Sequence, residues 1–107
     1  MSAVTGRDRA ALRGEAHHLQ PLVHVGASGL TPAVFNALDE VLQARELVKV
    51  QIGRHVDAPP RDTAQALALA TSSSVIQVIG RTATLYRENP ELPRKSGSLP
   101  PWRRQGG

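Results

Sequence analysis

No cysteine occurs among these 107 residues. Its absence removes disulfides, thiolate metal sites, iron–sulfur clusters and cysteine nucleophiles together, and fits a chain with no need of an oxidising compartment. Aromatic residues are nearly as scarce, Phe35, Tyr86 and Trp102 being the whole set. A sheet platform that stacks two or three bases on exposed aromatics cannot be built from them. Any nucleic acid must then be held mainly through backbone amides and charge. No stretch approaches the ~18 apolar residues of a membrane span, and Met1 to Asp8 hold no apolar run of signal-peptide length. A cytoplasmic protein with no membrane partner is expected.

Catalytic signatures are missing too. The patterns HExxH, DxD and GxSxG do not occur, and neither do the nucleotide-binding patterns GxGxxG and GK[ST]. His17 and His18 are adjacent, so on a helix they point about 100° apart and cannot chelate as an i, i+4 pair does. Ser72 to Ser74 have no evident base partner. No catalytic residue, metal site, cofactor or small-molecule substrate is expected, and a monomer is.

What the chain does have is an uneven charge. Thirteen Lys+Arg stand against nine Asp+Glu, a net +4. Arg94, Lys95, Arg103 and Arg104 follow Asn89 with Glu91 as their single anion, so this segment carries +3 and the first 89 residues +1. The length allows one domain, assigned to residues 1–89. Residues 90–107 read as a disordered basic tail, because Leu92, Leu99 and Trp102 are too few and too far apart to offset the entropy of ordering it. A near-neutral body with a basic tail points to a polyanionic partner.

The apolar spacing of Leu12, Ala16 and Leu19 predicts a helix over about 7–19, ended by Pro21. Arg9, Arg13 and His17 recur every four residues on another face of it, as a basic stripe or simply a solvated surface. A short strand, Leu22 to Val25, leads into Gly26-Ala27-Ser28-Gly29. Thr31-Pro32 then supplies an N-cap and a first-turn proline for a helix over about 32–45. Its inward residues are expected to be Val34, Ala37, Leu38 and Val41, with Phe35 and Leu42 beside them. Leu47 to Ile52 alternate as a strand burying Val48, Val50 and Ile52. A loop from Gly53 to Pro60 precedes a helix over about 61–71, carrying Ala64, Leu67, Ala68 and Ala70 with Leu69 alongside. Val75–Ile79 and Thr82–Tyr86 form a hairpin around Gly80-Arg81, a type II′ turn with glycine first. That turn pairs Val78 with Ala83, Ile76 with Leu85, Gln77 with Thr84 and Val75 with Tyr86.

The order α-β-α-β-α-β-β defines an α/β fold of the two-layer α+β type. Early strands are expected to pair in parallel and the final hairpin antiparallel, giving a mixed four-stranded sheet packed by helices. In this setting the glycine loop lies between a strand and a capped helix. Free amides and the positive end of a helix can hold phosphate oxygens there. A plain strand-to-helix connector is equally compatible with these local features.

Longer blocks carry a family resemblance. His17 to Gly26, then Gly29-Leu30-Thr31, Glu46 to Val50, and Gln77 to Thr82 with Leu85-Tyr86-Arg87 resemble the CRM domain (chloroplast RNA splicing and ribosome maturation) in its stand-alone bacterial, YhbY-like form. The resemblance runs over about residues 7–89. It implies a KH-like G-x-x-G loop that meets the RNA backbone and a fold similar to the C-terminal domain of translation initiation factor three. It also implies association with precursors of the large ribosomal subunit. Two positions differ from the family pattern. Ala27-Ser28 replace a basic residue and an asparagine between the glycines, and Ser72-Ser73 stand where glycine often ends the third helix, making that end less sharply capped.

The resulting expectation is a non-enzymatic RNA-binding protein that assists large-subunit assembly on ribosomal RNA. Its RNA contacts are expected at Gly26, Ala27, Ser28 and Gly29, extended by Arg9, Arg13 and His17 on the first helix and flanked by Lys49, Arg81 and Arg87. Contacts of this kind position RNA without reading its sequence. One alternative is a module docking on ribosomal proteins or translation factors, with only the basic tail touching RNA. A DNA-binding regulator lacks a helix-turn-helix pair, because a strand separates each pair of helices.

Overall fold

The alternation of Leu47–Ile52 places this strand, β2, at the centre of the molecule, with Val48, Val50 and Ile52 buried on one face. In the computed structural model, which describes residues 6–89 and 91, β2 runs parallel to β1 (Pro21–Val25), aligning Val23 with Val50 and Val25 with Ile52. On its other side it is antiparallel to β4 (Thr82–Tyr86), and β3 (Ser74–Ile79) pairs antiparallel with β4 at the far edge. The sheet is mixed and four-stranded, in the order β1-β2-β4-β3. All but one residue of the expected 90–107 tail lies outside the described residues.

Two helices, α2 (Pro32–Arg45) and α3 (Pro60–Thr71), cover the face of the sheet that presents Val48, Val50 and Leu85. Leu38, Leu42 and Leu67 are fully buried there, and burial of each such side chain contributes about 1.5–3 kcal/mol. The first helix, α1 (Gly6–Ala16), lies on the opposite face over one end of the sheet. Its Leu12 and Ala16 form a second, smaller cluster with Leu47, Ile76 and Tyr86. The second face of the sheet is closed at that end.

Several expected details differ. The first helix ends at Ala16 rather than Leu19. His17, His18 and Leu19 donate to the carbonyls three residues back, a tightened last turn that releases the chain towards Pro21. On α2 Leu42 is fully buried and Ala37 exposed; on α3 Ala70 and Leu69 are exposed, Leu69 at 85%. The buried stripe of α3 instead includes Thr63 and Thr71, polar residues that a reading of apolar side chains passes over. The hairpin keeps its turn, with positive φ at Gly80 and not at Arg81, and keeps the pairs Val78–Ala83 and Gln77–Thr84. A register shift between Val75 and Gln77 then sets Val75 opposite Leu85 and Ser74 opposite Tyr86. A bulge of this kind inserts one residue and redirects its neighbour. Here it turns Ile76 towards Leu12 and Tyr86.

The end of α3 is fully capped without glycine. Ser72 adopts a left-handed φ of 56° and donates its N–H to Ala68 O, which also accepts from Ser73 N at 2.9 Å. The Thr71 hydroxyl adds a 2.7 Å bond to Leu67 O. A non-glycine residue in this region costs on the order of 1 kcal/mol. Ser72→Gly is therefore expected to stabilise the fold by up to about 0.5 kcal/mol, less than the full strain because glycine gains entropy in the unfolded chain. The urea midpoint measures it; a lower midpoint would show that the strain argument is wrong.

Candidate nucleic-acid interface

Because β1 and β2 are parallel, both deliver their following loops to the same end of the sheet. The first loop is Gly26–Gly29. Gly29 N donates to Gly26 O at 2.9 Å, closing a turn that requires φ +75° at Gly29. Thr31 N then bonds Gly29 O at 3.1 Å, and the Thr31 hydroxyl accepts from Val34 N at 3.3 Å to cap α2. Gly26 is different. Its φ is ordinary and a Cβ there would meet nothing within 4 Å, so the fold itself has no need of glycine at this position. Gly26, Ala27 and Ser28 are exposed, and the amides of Ala27 and Ser28 have no partner among the described residues.

The second loop, 53–59, is locked beside the first. Gly53 N donates to Val25 O at 2.8 Å, and a Cβ on Gly53 would lie only 2.9 Å from that oxygen. The tip of the hairpin reaches the same place: Arg81 donates from Nη1 to Gly53 O at 3.0 Å, while its carbonyl accepts from Ile52 N at 2.7 Å. Between the loops and the start of α3 lies a cleft of about 340 Å³.

The expected contact residues do not form one surface. Gly26, Ala27, Ser28 and Gly29 share this end with Arg81, which is half-buried. Lys49 lies mid-strand on the face that α1 partly covers, also half-buried, and exposed His24 lies on that face of the neighbouring strand. Arg13 and His17 are exposed at the other end, His17 just beyond α1 rather than within it. Two of the expected cations are engaged in holding the fold. Arg9 donates to Val75 O on β3. Arg87 donates to the Asp39 carboxylate at 2.8 Å, to Thr71 O at 2.8 Å, to Asp39 O at 3.1 Å and to Gln43 Oε1 at 3.2 Å. It joins β4 to α2 and α3 at the end of the sheet remote from the glycine loop.

Arg54, His55 and Arg61 are exposed in and just after the second loop, and were not expected as contacts. The signal was available in the topology: residues following the carboxyl ends of parallel strands gather where such folds take ligands. The first loop itself carries no charge, so its attraction for an anion rests on amides and on these neighbours. Asp57 and Asp62 line the same cleft and oppose it. Among the described residues no group of three or more His, Cys, Asp or Glu could hold a metal, and no helix is long and apolar enough to cross a membrane.

A small mixed sheet with helices on both faces and an open glycine turn after a parallel strand defines an α/β domain whose free amides face solvent. The solution structure of SAV1595 from Staphylococcus aureus has this fold, with a TM-score of 0.74 at 33% identity, covering 92% of this chain and 100% of that one. The chain belongs to the CRS1 / YhbY (CRM) domain family, whose model matches residues 4–87. A Bacillus subtilis (strain 168) protein named Probable RNA-binding protein YqeI is 38% identical over 88 residues, 82% of this chain and 92% of that protein. A Haemophilus influenzae relative named RNA-binding protein is 34% identical over 103 residues, 89% of this chain and the whole of that protein. These relatives are named for RNA binding and not for catalysis.

Proposed function

We propose that this protein binds RNA by setting phosphates of a single-stranded segment against the Ala27 and Ser28 amides, and that in the cytoplasm its RNA is ribosomal RNA of large-subunit precursors. The observation that carries this reading is the Gly26–Gly29 turn. It is anchored at both ends, exposed, and offers two unpartnered amides, with a glycine at position 26 that leaves the approach to them open. Amides in such a turn, next to the start of a helix, suit phosphate oxygens. Arg54, Arg61 and Arg81 supply the local positive charge; Arg13 and His17 could engage only a longer RNA that also passes the far end. The names of the relatives support the RNA class, and the family resemblance supports the ribosomal setting.

Crosslinking the protein to RNA in growing cells and sequencing the bound fragments tests the proposal. Enrichment of precursor large-subunit rRNA is expected; fragments scattered over messenger and transfer RNA would contradict it. The cations after Asn89 are expected to add affinity without specificity. With a salt slope of about −0.7 per neutralised phosphate on single strands, removing residues 90–107 and their four cations should flatten log K against log salt by up to ~3 units. An unchanged slope would show that these cations do not meet RNA.

A further inference from the structure

The cleft beside the glycine turn contains a group that the backbone contact leaves unused. Thr63, only 2% exposed, is one of the residues that line it, and its buried hydroxyl has no hydrogen-bond partner among the described residues. Asp57 and Asp62 stand at its exposed rim, and neither carboxylate enters a salt bridge or hydrogen bond among those residues. Leu30, Val56 and Ala66 supply apolar wall. At about 340 Å³ the cleft is of small-ligand size, at the lower end of the ~300–1,000 Å³ of such sites. Buried polar groups are normally paired, so the Thr63 hydroxyl marks a place where an occupant completes the site. The rim decides its chemistry: ionised carboxylates only accept hydrogen bonds and repel an anion.

We infer that this cleft receives the base of the nucleotide whose phosphate lies on the turn, and that Asp57 and Asp62 favour guanine. The inference rests on the backbone contact proposed above. Guanine presents a ring N–H and an amino group side by side on its pairing edge, and the two oxygens of one carboxylate can accept both. Adenine and cytosine place an acceptor nitrogen beside their amino group. Uracil offers one N–H flanked by two carbonyl oxygens, which would face the carboxylates. Unpaired bases in RNA are commonly recognised through these edges, with apolar side chains against their faces. The Thr63 hydroxyl, able to donate and to accept, meets a remaining ring atom. The same acidic rim that weakens the site for phosphate thus supplies selectivity among bases.

Oligouridylates of one length, carrying no substitution, one central guanosine or one central inosine, are titrated into the full-length protein at a salt concentration that suppresses nonspecific contacts. The guanosine oligomer is expected to bind about tenfold tighter than oligouridylate, with inosine, which lacks the amino group, in between. In the Asp57→Asn/Asp62→Asn protein that preference should disappear while oligouridylate affinity holds or rises. Both residues are exposed, and circular dichroism checks that the variant is folded. No guanosine preference in the parent protein, or a preference that survives both substitutions, overturns the inference; a cleft serving a basic side chain of another protein gives the first of these results. The backbone reading is judged separately, by whether Ala27→Asp/Ser28→Asp weakens oligouridylate binding.

Discussion

Replacing Ala27 and Ser28 together by aspartate is expected to weaken RNA binding about 100-fold while leaving the melting temperature unchanged. Both side chains are exposed on a turn whose conformation is set by Gly29 and closed by the Gly29–Gly26 bond, so the fold has no stake in them. Two carboxylates would stand where phosphate approaches the amides, in a cleft that already holds Asp57 and Asp62. Like charges across a desolvated contact cost several kcal/mol, and about 2.8 kcal/mol is a factor of ~100 in affinity. Ala27→Lys should act the other way, by giving the loop the positive charge that it lacks. Filter binding of short single-stranded RNA at raised salt measures both. Affinities within twofold of the parent for both variants would make the turn a strand-to-helix connector and nothing more.

Arg87→Met is expected to lower stability by about 2–3 kcal/mol, which in a domain of this size is a fall in melting temperature of about 10 °C or more. The side chain is 18% exposed, and its guanidinium joins three elements through Thr71 O, Asp39 and Gln43. Its ion pair with Asp39 adds little, since that carboxylate is 60% exposed. The larger loss comes from the carbonyls. Thr71 O ends α3, where a cation also meets the negative end of the helix. Arg87→Lys should recover only part of the loss, because an ammonium cannot reproduce the fork of donors. RNA affinity of the folded Met variant should match the parent. The reverse pattern, with stability kept and affinity lost, would return Arg87 to the RNA surface.

The contrast between Arg87 and Ala27 shows where the sequence is informative. Thr31-Pro32 is a local signal, and α2 begins where it says. The alternation of Leu47–Ile52 and the Gly80-Arg81 turn are equally local, and β2 and the hairpin follow from them. Arg9 and Arg87 look like free cations because their partners lie far away along the chain; the carbonyl that holds Arg9 is 66 residues distant. The bulge that redirects Ile76 depends on α1 arriving over the opposite face. Buried Thr63, Thr71 and Thr84 have no apolar signature, and Leu69 is exposed although its type suggests otherwise. The turn at Gly26–Gly29 could be read as a candidate from its flanking strand and cap. Its neighbours Arg54, His55 and Arg61 carry no local signal; they follow from the parallel pairing of β1 and β2, which brings both loops to one end of the sheet.

The most direct measurement follows the backbone amides themselves. In a nitrogen-15 NMR titration of the full-length protein with a short single-stranded RNA, at a salt concentration that suppresses nonspecific contacts, the largest shifts are expected at Ala27 and Ser28. Smaller shifts should follow through residues 54–58 and at Arg81. If Ala27 and Ser28 stay unmoved while the amides around Arg13 and His17 or along Leu22–His24 shift, RNA lies on the other side of the sheet, and the glycine turn does not hold it.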